Sequence, residues 1–212
     1  MRQGEVGDCY FLSALDGLAR ARPGEVSALI RNAGNAYEVR FYRRSAVSVS
    51  GTEVRHGVGA DGVWARILES AWEKSRGNIR ADGTVEEQGG DPSEAIRALT
   101  GNRSRTIELR PGNADHVLAT MRDSLARGGI AVAATRARHP GIAPEHAYTV
   151  LQVDERGNVV LRNPWKSGPY PRPTPEGYKP NPMGPGTFAV DPATFTRNFP
   201  DVYLEVNAKR GR

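Results

Sequence analysis

Apolar residues recur at helical spacing over residues 9–20, where Phe11, Leu12, Leu15, Leu18 and Ala19 share a side. Asp8 is placed as the N-cap and Pro23-Gly24 as the stop, so Cys9 falls in the first turn of the helix. Residues 36–49 alternate weakly through Tyr37, Val39 and Phe41, which predicts a strand with a hairpin partner, and Gly57 to Gly62 predict a loop. Trp64, Ile67, Leu68, Ala71 and Trp72 then follow i, i+3, i+4, i+7 and i+8, a second helix closed by Gly77 with both tryptophans expected in the core. Asp91-Pro92-Ser93-Glu94 has the order of a capping box and starts a third helix that ends at Leu99. A fourth spans about 114–127, with Val117, Leu118, Met121 and Leu125 inward and Gly128-Gly129 as its stop.

Beyond this helix the apolar period becomes that of strands, in Ile130–Thr135, Ala147–Val153, Val159–Arg162, Thr187–Val190 and Val202–Val206. A mostly helical first half followed by a mostly β second half predicts an α+β fold, a helical lobe over about 1–105 packed on a β lobe over about 106–212. Residues 166–186 are rich in Pro and Gly and read as a long loop.

Composition narrows the function classes. The chain has 212 residues, 38% hydrophobic and 25% charged, which describes a soluble globular protein able to hold a core without metal or disulfide. No apolar run reaches the ~18 residues of a membrane span, and the N-terminus lacks the order of a signal peptide. Localisation is expected to be cytoplasmic, or secreted as part of a longer chain. The net charge of +5 comes from arginines spread through every segment among acids, so nucleic acid is not an expected partner. The single cysteine, Cys9, forbids an internal disulfide and a Cys-based zinc cluster.

A lone cysteine on an amphipathic helix is ordinarily a small core residue. Its neighbours set Cys9 apart. Gln3-Gly4-Glu5-Val6-Gly7-Asp8-Cys9-Tyr10-Phe11-Leu12 leads the chain, and His146-Ala147-Tyr148 and Arg162-Asn163-Pro164-Trp165 follow far downstream. This set resembles the calpain family of papain-fold cysteine proteases, whose core carries Q-G-x-x-G-D-C-W/Y-F-L, G-H-A-Y and R-N-P-W segments. The Trp64–Lys74 helix resembles the family's W-x-x-L-L-E-K-A-Y-x-K segment. Gly89–Gly101 resembles its G-G-x-x-x-E-A-L-x-x-L-T-G segment, and Phe188–Phe199 its closing strand and helix. There are departures: Glu145 stands for the glycine before the histidine, Lys166 for the glycine after Trp165, and Tyr10 where Trp is commoner.

The resemblance implies a cysteine endopeptidase with Cys9 as nucleophile, His146 as general base and acid, Asn163 as orienter of the imidazole and Gln3 as oxyanion donor. Residue chemistry agrees with these roles. A first-turn thiol is expected to have a lowered pKa from the helix dipole and free N–H groups. The hairpin of strands 147–153 and 159–162 brings His146 and Asn163 to one end. Gly4 and Gly7 allow the loop from Gln3 to turn, Asp8 caps the helix, and Trp165 would shield the His146–Asn163 hydrogen bond. The same triad would also serve a deamidase or a transglutaminase-like acyl transferase, and a non-catalytic binding module is a third reading. Sequence calls for no cofactor; no EF-hand loop occurs, and calcium dependence is left open. Expected partners are protein substrates and, if the chain is a domain of a bacterial effector or toxin, an inhibitor or immunity protein.

Overall fold

The computed structural model describes residues 7–56, 62–78, 89–137, 139, 142–165, 176–180, 184 and 186–206. Gln3, Gly4, Lys166 and most of the Gly57–Gly62 loop lie outside the described residues. In chain order the elements are α1 (Cys9–Ala21), α2 (Pro23–Ala28), β1 (Ile30–Asn32), β2 (Ala36–Val39), β3 (Val47–Ser50), α3 (Gly51–His56), α4 (Val63–Arg76) and α5 (Pro92–Thr100). They continue with β4 (Arg103–Glu108), α6 (Ala114–Ala126), β5 (Ala131–Ala134), β6 (Ala147–Val153) and β7 (Val159–Arg162). The last are β8 (Tyr178–Pro180), β9 (Thr187–Val190), α7 (Pro192–Asn198) and β10 (Asp201–Val206). The chain is α+β, with a seven-stranded antiparallel sheet in the order β4-β10-β5-β6-β7-β9-β8 and a separate three-stranded sheet β1-β2-β3.

The large sheet is covered on both faces, and β5 shows how. Ile130 and Val132 enter a core shared with α1, α4 and α5, whereas Ala131 and Ala133 enter a second core with Val117, Leu118 and Met121 of α6 and Phe195 of α7. Period-two alternation thus serves two cores at once, so β5 reads as a continuous apolar run. Helix α1 is buried through most of its circumference, from Tyr10 to Leu18. It can lie close to the sheet because Gly17 has no side chain: a Cβ there would come within 2.8 Å of Ile130 Cγ2.

Several expectations are revised. Trp72 is core, stacked on Phe11 at 4.7 Å and donating from Nε1 to Tyr10 Oη at 2.8 Å, but Trp64 is 36% exposed in the first turn of α4. Asp91 caps α5 by accepting from the Ser93 N–H, but Glu94 pairs with Arg44 rather than closing a capping box. Asp8 occupies the N-cap position of α1, yet its side chain makes no capping bond and is completely buried. The elements α2, β1, α3, β4 and β8 add to those the sequence pattern predicts.

Candidate active site

Helix α1 is fixed on strand β6 by polar bonds as well as by packing. Ser13 Oγ donates to the Ala147 carbonyl at 3.0 Å, and Thr149 Oγ1 donates to the Ser13 carbonyl at 2.9 Å. Farther along, Arg162 of β7 pairs with Asp16 at 3.0 Å. These bonds hold the first turn of α1 beside the start of β6, where the Ala147 N–H faces the Cys9 thiol. Cys9 is the first residue of the helix, and its own N–H has no carbonyl acceptor among the described residues.

The β6–β7 hairpin accounts for the other half of the site. Its register pairs Thr149 with Arg162, so the residue ahead of β6 and the residue after β7 emerge at one end. There His146 Nε2 lies 2.9 Å from Asn163 Oδ1. The same oxygen accepts from the Trp165 N–H at 2.9 Å, which fixes the orientation of the Asn163 amide. The amide presents an acceptor to the ring, so Nε2 carries the proton and Nδ1 is the basic nitrogen. The Trp165 ring lies 4.2 Å from the imidazole between centroids, and Tyr148 meets it edge-on at 4.8 Å.

Cys9, His146, Gly7 and Trp165 line one cleft of about 780 Å³, with Tyr10, Gly90, Thr135, Arg136, Glu145 and Tyr203 among its other walls. Asn163 sits behind His146, and Asp8 lies behind Cys9. The structure therefore brings Cys9, His146, Asn163, Trp165, Gly7 and Asp8 together, while Gln3 lies outside the described residues.

The electrostatics differ from the expected first-turn thiolate. Burial pushes the Cys9 thiol up to about 11; the Ala147 N–H draws it down, and the Asp8 charge raises it further. Burial also pulls the His146 imidazole down to about 4 against the upward pull of Asn163. Desolvation outweighs the helix terminus here, so the resting pair is neutral thiol and neutral imidazole. Alkylation of Cys9 by iodoacetamide in the ligand-free protein is therefore expected to rise with pH later than that of free cysteine, whose midpoint is about 8.5. A rate that levels off below pH 8 would show a thiolate–imidazolium pair instead.

Sequence periodicity did not single out a group of buried acids behind the nucleophile. Asp8 is 0% exposed, Glu69 4% and Glu73 3%. Among the described residues no N–H or hydroxyl of another residue reaches either carboxyl oxygen of Asp8 or Glu69, and the two carboxyls interact directly, an approach that favours a proton held between them. Burial raises the pKa of both, and mutual repulsion adds to the rise at Glu69. Glu73 is also raised by burial, although Asn78 Nδ2 donates to its Oε2 at 2.7 Å. Acids with raised folded-state pKa contribute stability that is present below the ordinary carboxylate range, about 4, and is lost as pH rises. Glu69→Gln supplies a neutral donor to Asp8, so its melting temperature should exceed that of wild type by several degrees near pH 8, roughly 2–4 °C per kcal/mol, and converge with it near pH 4. A difference that stays flat or shrinks with rising pH would contradict the shared proton.

Thr135 is another site residue without a local sequence signal. Its hydroxyl donates to the Ala143 carbonyl at 2.7 Å and accepts from the His146 N–H at 3.1 Å, anchoring the loop that delivers the histidine. Among the described residues, no group of three or more His, Cys, Asp or Glu side chains is arranged to hold a metal ion. No described helix is long and apolar enough to cross a membrane.

Similarity to known proteins agrees with this geometry. The rice (Oryza sativa subsp. japonica) calpain-type cysteine protease ADL1 is 31% identical over 192 residues, covering 77% of this chain and 9% of the rice protein. Human calpain-9 is 26% identical over 197 residues, 77% of this chain and 28% of its own length. Drosophila melanogaster calpain-A is 25% identical over 217 residues, 83% of this chain and 26% of its own. The chain thus spans less than a third of each of these curated relatives. The profile of the calpain family cysteine proteases matches residues 1–172, and the chain belongs to that family.

Proposed function

We propose that the chain is a cysteine endopeptidase core of papain-like architecture, with a first lobe of about 1–105 and a second of about 106–212. The observation that carries this reading is the single cleft lined by a thiol on a helix N-terminus and by an imidazole whose Nε2 is tied to Asn163 at 2.9 Å. Two cores support the lobes. One is drawn from Tyr10–Leu99 with Ile130, Val132 and Ala147, the other from Leu109–Leu204.

The reaction follows from these groups. As Cys9 Sγ attacks the substrate carbonyl carbon, His146 Nδ1 takes the thiol proton, so charge appears only as the S–C bond forms. The carbonyl oxygen becomes an oxyanion, bonded by the backbone N–H of Cys9 and the side-chain N–H of Gln3. Collapse breaks the C–N bond, and His146 gives its proton to the leaving amine, leaving a thioester. Water then attacks that thioester with His146 again as base, which releases the acid and restores the thiol. Asn163 keeps Nε2 protonated and the ring aimed, while Trp165 excludes water from their bond. Protein substrates fit the open cleft.

Mass spectrometry of a protein mixture treated with the chain tests the reaction class. Endopeptidase activity predicts new termini at internal peptide bonds. A gain of about 1 Da at glutamine side chains, or cross-links, with intact backbones would contradict it in favour of acyl transfer to another acceptor.

A further inference from the structure

Glu145, immediately before His146, has a backbone φ of 49°, in the left-handed region that favours glycine. Arg43 is the other non-glycine residue with positive φ among the described residues, and it lies outside the cleft. The turn at Glu145 is over-determined by its neighbours. Pro144 restricts the residue before it, Thr135 holds the Ala143 carbonyl and the His146 N–H, and the Thr135 N–H donates to the His146 carbonyl at 2.9 Å. This geometry delivers His146 and would be met without strain by glycine. A glutamate is nevertheless present, and strained residues of this kind concentrate where a side chain is needed in a fixed place.

That place is the wall of the cleft, where Glu145 is exposed and has no hydrogen bond or ion pair among the described residues. The charged groups among the described lining are Arg136, Glu145 and Asp201. Arg136 is gripped at both ends by Asp201, Nε to Oδ2 at 2.7 Å and Nη2 to Oδ1 at 2.6 Å. Among the described residues Glu145 is therefore the uncompensated charge of the cleft, on a chain whose net charge is +5. Trp165 and Tyr203 line the same cleft, with Trp165 41% exposed. A cleft that presents aromatic rings and a free carboxylate suits the methylene stem and cationic head of lysine or arginine.

We infer that Glu145 is a specificity-determining residue that selects polypeptide substrates with a basic side chain beside the scissile bond. The inference rests on the protease reading for its consequence in turnover, but the selection itself is a property of binding. It is tested on two readouts, with paired peptides identical except for Arg or Glu at one central position. One is affinity for the Cys9→Ala protein, by fluorescence anisotropy; the other is kcat/KM with Cys9 intact.

Wild-type residue 145 should favour the Arg peptide, and the preference should shrink between about 0.05 and 0.5 M salt. Glu145→Gln keeps the side chain but removes the charge, and should reduce the Arg-over-Glu ratio about fivefold, the scale of one exposed charge pair. Glu145→Lys should reverse it. Glu145→Gly should match Glu145→Gln if charge is the cause. An unchanged ratio in Glu145→Gln overturns the inference, as does a ratio altered in Glu145→Gly alone, which would assign the effect to the turn. If affinity follows residue 145 while no peptide is cleaved, selection stands and the protease reading fails.

Discussion

Cys9→Ala is expected to lower proteolytic turnover by on the order of 10⁴-fold or more while the protein remains folded. The substitution removes the atom that forms the bond to the substrate, and no other cysteine exists to replace it. Its structural cost is small, because Cys9 is only partly buried and the bonds that fix α1 come from Ser13, Thr149, Asp16 and Arg162. Circular dichroism and the melting curve should overlay those of wild type. Substantial turnover by this variant would mean that the chemistry resides elsewhere.

Glu205→Ala is expected to destabilise the fold by about 3 kcal/mol, the low end for breaking a buried charge pair, because Arg22 Nε keeps Glu25 Oε2 at 3.1 Å. Arg22, which joins α1 to α2, is 5% exposed and Glu205 of β10 is 4% exposed. Arg22 Nη2 reaches both carboxyl oxygens, at 2.7 and 3.0 Å. Glu205 also accepts from Asn102 Nδ2 at 2.6 Å and from the Ile130 N–H at 3.0 Å. Removing the carboxylate strands three donors at the junction of the helical elements with the sheet. Against a typical total of 5–15 kcal/mol, that loss is a large share of the stability. Chemical denaturation should show the midpoint falling sharply, and a shift under about 1 kcal/mol would show that water replaces the carboxylate.

What could be read from the sequence was what is local. Helix α1, strands β6 and β7 and the meeting of His146 with Asn163 follow from periodicity and a short hairpin, so their positions agree with the pattern within a residue or so. Contacts that join distant segments were not legible. Glu69 lies on α4 beside the apolar stripe with no local signal of burial, yet it folds against Asp8, 61 residues earlier in the chain, as a buried acidic partner. The thiol follows the same rule: the helix terminus that lowers its pKa is visible in sequence, but the desolvation that raises it comes from packing. Trp64 carried a core signal by spacing but is 36% exposed in the first turn of α4, where Ala65 rather than Trp64 is buried. Strands β1 and β8 are three residues each, below the length at which alternation has meaning.

If Cys9 attacks an amide carbonyl, it carries the acyl group as a thioester, and acid-quenched intact-protein mass spectrometry during turnover of a single peptide substrate, followed by peptide mapping, detects that intermediate. The expected result is a transient mass gain equal to the acyl fragment of the substrate, confined to the peptide containing Cys9 and absent from Cys9→Ala. Cleavage of the substrate with no adduct on Cys9, together with the same cleavage rate in Cys9→Ala, would contradict it.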